Sequence, residues 1–371
     1  MRYVLVVFAV LHGICHLPGF AVNWRLMAMP ELLFRTTILQ GQVDLGETGI
    51  RVWGVIWLAL AVAFAVLAVG VWSRASWWLL MTPVAVGFSA LCCVLALPEA
   101  RLGLAANLLL LALVCAAFRF PGGSPAVRHP GLERLWNSAP AGSGAVFDPN
   151  AVPEAGLAYL QHAVAPGTPL AAAVRLRMHG EIKLGRWHPF HAEQVIIPGR
   201  GMIWAANVSM FGLPVLGADQ VLDGAGRMDW KILDTVPVMH AEGPDTSRSG
   251  AGRLMGEMAA WLPSALCNGG VEWVAADSEH SRFRLAWFGE KTELTVVFSP
   301  EGGVSAFWFP RWGNPDGGKA RYIDFGVVVE QERTFGGYTL PSRVRAGWHY
   351  GTDRFAESDF FHATIDSAEL R

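Results

Sequence analysis

Long apolar runs without charge dominate the first third of the chain. A transmembrane helix needs about 20 largely apolar residues, and four stretches approach or reach that length: Tyr3–Trp24, Val52–Ser73, Ala75–Pro98 and Leu102–Phe118. Over the whole chain only 16% of residues are charged, against about 25% in a typical soluble protein. We therefore predict a domain of four transmembrane helices in residues 1–120.

The charge is spread unevenly along the chain. Residues 1–122 carry seven arginines and four acidic residues, whereas residues 123–371 carry 22 basic and 27 acidic residues. No basic stripe is present, which argues against nucleic acid as a partner. If both termini are cytoplasmic, five arginines near the segment ends lie inside and four outside. The positive-inside rule then favours a cytoplasmic C-terminal domain.

Two histidines interrupt the first apolar run. His12 and His16 are four residues apart, so they share one face of a helix. Ionisable residues within a membrane are functional candidates, and imidazole is a common ligand of metals and haem. The alternative is a pair of neutral histidines that form hydrogen bonds across the helix bundle. The other apolar runs contain no second histidine pair that would complete a bis-histidine site.

The pattern changes after the apolar third. Residues 121–152 are rich in Pro, Gly, Ser and Ala, which predicts a flexible linker. Residues 153–371 then show about a dozen segments that alternate between apolar and polar residues, such as Val174–Leu184 and Met228–Val238. Alternation with period two and turn signals between the segments predict a mainly antiparallel β domain. We expect a curled sheet or half-barrel with one or two helices, one of them over Thr246–Leu262.

The predicted helix over Thr246–Leu262 carries a charged pair. Arg253 and Glu257 are spaced i, i+4, so they can form an ion pair on one face of the helix. One interpretation is a surface ion pair that contributes little to stability. The other is a charged pair at the mouth of a cavity that the sheet lines.

A group of histidines and carboxylates near the first predicted hairpin resembles a metal site. His179 and Glu181 share one strand face, His191 and Glu193 share a face of the following strand, and His188 falls in the predicted connection. A zinc site needs at least three protein ligands. No established metal motif supports this site. The alternative is the solvated polar face of an antiparallel hairpin.

Several segments together resemble an uncharacterised bacterial domain family that often follows a four-helix membrane unit. The matching segments are "LHGICHLPGF" at Leu11–Phe20, "RMHGEI" at Arg177–Ile182, "WHPFHAEQ" at Trp187–Gln194, "GMIWAA" at Gly201–Ala206 and "GEMAAWLPSAL" at Gly256–Leu266. The resemblance implies a multi-pass protein of the bacterial inner membrane and supplies no activity. In fold alone, the pattern is also similar to the curled half-barrel sheets of bacterial lipoprotein carriers.

The functional prediction follows from the membrane anchor and a tryptophan-rich sheet. Serine hydrolase, Walker A and dinucleotide-binding motifs are absent from the sequence, so an enzyme is not the leading hypothesis and no cofactor is expected. A curved sheet lined by aromatic side chains and a few polar groups is typical of a pocket for apolar ligands. We predict that the β domain binds a lipid or another apolar molecule beside the membrane. The alternatives are a metal-dependent enzyme using the His/Glu group and a structural or sensory membrane protein. The candidate ligand-binding residues are Arg177, Glu181, Trp187, Gln194, Trp204, Glu257, Arg311 and Arg343.

Overall fold

The chain divides into two compact units. The N-terminal unit covers Met1–Gly123, and the C-terminal unit covers Ser124–Met210 and Pro214–Arg371. The computed structural model describes residues 2–29, 32–73, 75, 77–119, 127, 129–140, 142, 144–210, 213–267 and 270–371.

The N-terminal unit is mainly helical. Its elements are α1 (Arg2–Ile14), α2 (Leu17–Asn23), β1 (Thr37–Ile38), β2 (Val43–Asp44), α3 (Gly46–Ser73), α4 (Trp78–Leu95) and α5 (Arg101–Arg119). The first predicted membrane segment is thus divided between α1 and α2, and Pro18 lies in the first turn of α2, a position that proline favours.

The prediction of four transmembrane helices is confirmed only in part. Two helical stretches in the described chain are long and apolar enough to cross a membrane, Tyr3–Asn23 and Gly46–Ser73. The other two apolar stretches, Met81–Leu95 and Arg101–Val114, are shorter than 18 residues. They count only residues whose side chains the structure describes, and they belong to α4 and α5. The structure therefore supports two candidate spans, not four.

The C-terminal unit contains a large sheet and four helices within its described residues. Its elements are α6 (Pro130–Asn137), α7 (Glu154–Ala163), β3 (Val174–Leu184), β4 (Arg186–Ile197), β5 (Gly201–Met210), β6 (Leu213–Leu222), β7 (Ala225–Ile232), β8 (Val236–Glu242), α8 (Pro244–Trp261), β9 (Glu272–Ala276), β10 (His280–Trp287), β11 (Glu290–Phe298), β12 (Val304–Gly313), β13 (Arg321–Phe335), β14 (Tyr338–Trp348), α9 (Phe355–Ser358) and β15 (Asp359–Leu370).

The sheet has 13 strands in the order β8-β7-β6-β5-β4-β3-β15-β14-β13-β12-β11-β10-β9. Neighbouring strands with a described register run antiparallel. Most neighbouring strands are joined by hairpins. The last strand, β15, lies between β3 and β14 and so connects the two halves of the sheet. The predicted large antiparallel sheet is therefore confirmed.

The contacts of α8 show that this sheet is curled. The helix contacts β7 and also β11, although nine strand spacings separate these two strands. On a flat sheet they would lie roughly 43 Å apart, whereas the 18 residues of α8 span about 27 Å. The sheet therefore wraps around α8, and we call the face that it turns toward the helix the concave face.

One prediction of local structure is wrong. The predicted strand Met228–Val238 is divided between β7 and β8, because Leu233 and Asp234 adopt positive φ and turn the chain. The region of the predicted linker, 121–152, contains α6, which buries Leu132 and Trp136. Residues 121–126, 128, 141 and 143 of this region lie outside the described residues.

Both faces of the sheet are partly covered. The concave face, α7 and α8 share one core. The largest fully buried side chains of this core include Trp204, Tyr159, Tyr338, Phe190, Phe283, Phe307 and Phe309. On the opposite face, α6 packs its leucines and Trp136 against Val195, Ile203 and Ala205 of β4 and β5. Helix α6 thus covers only part of the convex face, and the concave face carries the main core.

Candidate functional site

A stripe of polar side chains on α8 enters the core of the C-terminal unit. Ser249, Arg253 and Glu257 follow each other at i, i+4 spacing, so they lie on one face of the helix. Leu254, Met255 and Met258 of the same helix are almost completely buried. The helix therefore brings charged groups into an interface that is otherwise apolar.

The stripe meets two polar residues of the sheet, Gln194 on β4 and Asp219 on β6. Arg253 donates from Nε to Glu257 Oε1 at 2.7 Å and from Nη1 to Asp219 Oδ2 at 2.9 Å. Gln194 donates from Nε2 to Glu257 Oε2, and Trp230 donates from Nε1 to the other oxygen of Asp219 at 3.0 Å. We call Gln194, Asp219, Arg253 and Glu257 the α8 cluster.

The α8 cluster is largely removed from water. The side chains of Arg253, Glu257 and Asp219 are 18%, 15% and 16% exposed, and Gln194 is fully buried. The interpretation of Arg253 and Glu257 as a surface ion pair is therefore wrong. Burial opposes the charge of Arg253, but the carboxylates of Glu257 and Asp219 outweigh this effect and raise its pKa.

Glycines allow α8 to approach the sheet closely. A Cβ atom on Gly256 would lie 2.4 Å from Cε1 of Phe309, and one on Gly252 would lie 3.5 Å from Cγ of Arg311. A side chain at Gly256 would thus overlap a rigid ring, whereas the space beside Gly252 is ordinary contact distance. The absence of a side chain at Gly256 therefore allows Phe309 of β12 to pack directly against the helix.

Arg311 of β12 contacts the stripe at Ser249, one helical turn before Arg253. It donates from Nε to the carbonyl oxygen of Ser249 and from Nη2 to its hydroxyl, both at 3.3 Å. Its guanidinium also packs over the rings of Phe325 and Trp348, at 4.8 and 5.2 Å from their centroids. Burial, together with the positive charge of Arg253, lowers the pKa of Arg311 to about 9. Arg311 therefore remains charged at neutral pH.

Aromatic rings surround the α8 cluster on the concave face. Trp204 packs within 6 Å of Phe190, Trp230 and Phe361, measured between ring centroids, and Arg253 lies 5.2 Å from the Trp204 ring. The indole Nε1 of Trp204 and the amide Oε1 of Gln194 are both buried and form no hydrogen bond within the described chain. Buried polar atoms are normally paired, so these two atoms give the site unused hydrogen-bonding capacity.

The structure brings four of the eight predicted ligand-binding residues together. Gln194, Trp204, Glu257 and Arg311 all lie between α8 and the concave face. Gln194 and Trp204 are partners across the β4–β5 ladder, whereas the curl of the sheet brings Arg311 of β12 to the same helix.

The other four predicted residues lie on the convex face. Arg177, Glu181 and Arg343 are exposed, and Trp187 packs against His362 with 4.2 Å between ring centroids and the rings tilted by 34°. On β3 and β4 they alternate with buried residues of the concave face, and side chains of successive strand residues point to opposite faces. The prediction that all eight line one cavity is therefore wrong.

The three predicted metal ligands of the first hairpin are also on the convex face. His179 contacts Asp366 through Nδ1 at 2.8 Å, and its ring lies 6.1 Å from that of His191. Glu193 instead accepts a hydrogen bond from Arg175. Within the described ranges, no group of three or more His, Cys, Asp or Glu side chains is arranged to hold a metal ion. His188 lies in β4, not in the predicted connection.

The two histidines of the N-terminal unit take part in a buried hydrogen-bond network. His12 Nε2 lies 3.1 Å from Asn107 Oδ1, and His16 Nε2 lies 3.1 Å from the hydroxyl of Ser89. Asn107 also donates from Nδ2 to Ser89 Oγ at 2.9 Å. All four residues are at most 2% exposed. This geometry is that of histidines bonded across a helix bundle, while their role as ligands stays a prediction.

Sequence patterns do not point to Asp219 and Trp230, which complete the α8 cluster and its surroundings. Asp219 lies two residues before the buried Val221 on β6 and therefore shares its strand face. An acidic residue in phase with buried apolar ones is the signal that could have identified it. Trp230 faces Gly217 across the β6–β7 ladder. Its ring covers the space that a side chain at that glycine would fill, since a Cβ there would lie 2.4 Å from the indole.

Comparisons with known proteins give a family and two distant structural likenesses. A LolA-superfamily protein from Nitrosomonas europaea matches with 10% identity and a TM-score of 0.31, over 54% of this chain and 86% of its own. A putative outer membrane lipoprotein-sorting protein domain from Vibrio parahaemolyticus matches with 8% identity and a TM-score of 0.28, over the same shares. Likenesses of this size support no inference about fold or function. Curated proteins yield no match.

The family model that matches describes a family of unknown function, DUF6544, and it aligns with residues 147–360. This range contains β3 to β14, α7 and α8, and therefore every residue of the α8 cluster. Because the match covers more than half of the chain, the chain belongs to the DUF6544 family.

Proposed function

We propose that this protein is an integral protein of the bacterial inner membrane whose β-rich unit binds a lipid or another apolar molecule beside the bilayer. The ligand would lie between α8 and the concave face of the sheet. The observation that carries this proposal is the α8 cluster together with Trp204, a set of polar groups inside an aromatic core in which Gln194 Oε1 and Trp204 Nε1 form no hydrogen bond among the described residues.

The distribution of polarity in the N-terminal unit supports a membrane anchor. Large apolar side chains are exposed on its helices, among them Val7, Leu11, Val62, Val66, Val69, Val84, Phe88, Leu91, Leu108 and Leu109. The polar residues His12, His16, Ser89 and Asn107 are instead buried. An apolar surface around an interior that contains hydrogen-bonded polar side chains suits a lipid environment. Two helical stretches are also long enough to cross a bilayer.

The chemistry of the concave face supports an amphipathic or apolar ligand. Ligand pockets are commonly lined by aromatic and apolar side chains with a few convergent polar groups. Here Phe190, Trp204 and Phe361 supply adjoining apolar rings, and the α8 cluster supplies the polar groups. Three of its side chains remain 15–18% exposed, so one border of the site contacts water.

The competing functions have less support. The metal-dependent enzyme would need His179, His191 and Glu193 as ligands, but Asp366 and Arg175 already engage two of them. A structural or sensory role needs no bound ligand and therefore gains no support from the polar groups inside the aromatic core.

The proposal is tested by analysing what co-purifies with the full-length protein. We expect lipid or another apolar molecule near one equivalent per chain in the wild type and in Arg177→Ala, a change on the convex face. Trp204→Ala should lose most of it, because this substitution removes the central ring of the site. Metal analysis of the same samples is the second readout.

Two results would count against the proposal. Equal lipid content in all three proteins would show that the bound molecules come from the membrane anchor. Stoichiometric zinc or iron without lipid would favour the enzyme, and loss of that metal in His191→Ala would assign the ligand. Circular dichroism of Trp204→Ala establishes that the comparison is made between folded proteins.

The arginine balance favours a cytoplasmic C-terminal unit. A fluorescent protein fused to the C-terminus should therefore fluoresce, and alkaline phosphatase fused at the same position should be inactive. The reverse pattern would place the β-rich unit on the periplasmic side of the inner membrane.

We also propose the domain boundaries that the sequence predicts. The membrane anchor covers residues 1–120 and the β domain covers residues 153–371.

A further inference from the structure

Gln194 and Trp204 present a matched pair of unsatisfied atoms. They face each other directly across the β4–β5 ladder and are 0% and 2% exposed. Gln194 Oε1 accepts no hydrogen bond and Trp204 Nε1 donates none among the described residues. One is an acceptor and the other a donor, and they do not bond to each other.

The orientation of the Gln194 amide is fixed by its neighbours. Its Nε2 donates to the carboxylate of Glu257 and lies 3.4 Å from the sulfur of Met202. If the amide were turned by 180°, Oε1 would face the carboxylate of Glu257, and two acceptors would repel each other. The free atom of Gln194 is therefore an acceptor, and its ligand must donate a hydrogen bond.

The charges around these atoms are already balanced. Arg253 bonds to both Asp219 and Glu257, and Arg311 supplies a second positive charge near the two carboxylates. An anionic ligand would add an unmatched charge to a poorly hydrated site, which is costly. It would also offer no proton to Gln194. The site therefore suits an uncharged group.

A hydroxyl is an uncharged group that satisfies both atoms, because it donates one hydrogen bond and accepts two. The aromatic rings around Trp204 suit the apolar part of the same molecule. Building on the proposed function, we infer that the site binds an uncharged amphipathic molecule with a hydroxyl group, of the class of fatty alcohols and monoacylglycerols. Its hydroxyl donates to Gln194 Oε1 and accepts from Trp204 Nε1.

Three probes with the same alkyl chain separate the possible head groups. Full-length protein in detergent micelles is incubated with equimolar 1-hexadecanol, 1-methoxyhexadecane and hexadecyl sulfate, and the retained probes are quantified by mass spectrometry after gel filtration. The ether accepts but cannot donate a hydrogen bond, and the sulfate is an anion. Empty micelles and the variants Trp204→Phe and Trp273→Phe are treated in the same way.

Trp273→Phe is the matched control for loss of an indole. Trp273 lies on β9, where it packs against Gly156 of α7 and Phe283, and it is not part of the site. Trp204→Phe keeps an aromatic ring on β5 but removes the Nε1 donor. Since the comparison of alcohol with ether is made within the wild type, the test does not depend on either variant folding.

We expect the wild type and Trp273→Phe to retain about five times more alcohol than ether or sulfate, as one additional buried hydrogen bond implies. Trp204→Phe should retain about five times less alcohol than the wild type. Equal retention of alcohol and ether, or a preference for the sulfate, would overturn the inferred head group and leave the proposed function intact. If none of the probes exceeds the level in empty micelles, the proposed function itself fails.

Discussion

Replacing Arg253 by methionine tests whether the α8 cluster is an electrostatic unit. Arg253 is bonded to two carboxylates, Asp219 and Glu257. Methionine has a similar stem and no charge, so Arg253→Met would leave both carboxylates in the core without the cation that balances them. The uncompensated negative charge of the two carboxylates, rather than the lost packing, should account for most of the decrease in the free energy of unfolding.

The size of the effect follows from the burial of the three groups. Removing one partner of a buried ion pair costs about 3–5 kcal/mol. The side chains of Arg253 and Glu257 retain 18% and 15% exposure, so water offsets part of that cost, and we expect about 3 kcal/mol. At about 2–4 °C per kcal/mol, this corresponds to a decrease in Tm of about 6–12 °C.

The assay is urea unfolding of the full-length protein, followed by tryptophan fluorescence. Arg284→Met is the matched control, because Arg284 also lies between two carboxylates, Glu272 and Glu293, but Arg284 and Glu272 are exposed and Glu293 is half-exposed. We expect the control to lose less than about 1 kcal/mol. The triple variant Arg253→Met, Asp219→Asn, Glu257→Gln removes the uncompensated charges and should recover at least half of the loss.

Two results would refute the electrostatic argument. A loss in Arg253→Met no larger than in Arg284→Met would show that the cluster behaves like surface charge. A triple variant at least as unstable as the single one would show that packing is decisive.

Two further predictions concern stability. Gly256→Ala should destabilise the C-terminal unit by about 1–3 kcal/mol through overlap with Phe309, whereas Gly252→Ala on the same helix should be neutral or stabilising by up to about 1 kcal/mol; equal effects in urea unfolding would contradict the close approach. The hydrogen bonds to Glu332 at 2.9 Å raise the pKa of His162, despite its burial. This contribution is complete below the unfolded pKa of about 6.5 and is lost as the pH rises through the higher folded pKa. The stability difference between wild type and His162→Gln should decrease over that window, and a constant difference would count against the pair.

Alternation along the strands makes the faces of the sheet predictable. On β4, His191 and Glu193 alternate with Gln194 and the buried apolar residues, and the structure places them on opposite faces as this pattern requires. Alternation does not tell which face is concave or where α8 lies. The prediction from sequence therefore places Arg177 and Gln194 in one cavity, although they belong to different faces.

The site depends on contacts that are distant in sequence. Gln194, Asp219 and Arg311 are brought to α8 by the curl of a 13-stranded sheet. Each of the three lies on a different strand, and local patterns carry no information on how strands far apart in the order approach each other. The helix itself is predictable, because its apolar stripe and its i, i+4 pair are local.

The turn between β7 and β8 shows a limit of local patterns. Hairpin turns are usually recognised by glycine or asparagine at positions of positive φ. Here Leu233 and Asp234 adopt φ of 55° and 59°, and leucine is a residue for which this conformation is uncommon. The sequence therefore resembles one continuous strand.

The central claim, that a ligand lies between α8 and the concave face, is tested most directly by photo-crosslinking. Full-length protein is irradiated with a long-chain alcohol that carries a diazirine, digested, and the labelled peptides are identified by mass spectrometry. We predict labels on the residues of β4, β5 and α8 that face the core around Trp204, and their loss when unlabelled 1-hexadecanol is added in excess. Labels confined to the helices of Met1–Gly123, or insensitive to competitor, would contradict the claim.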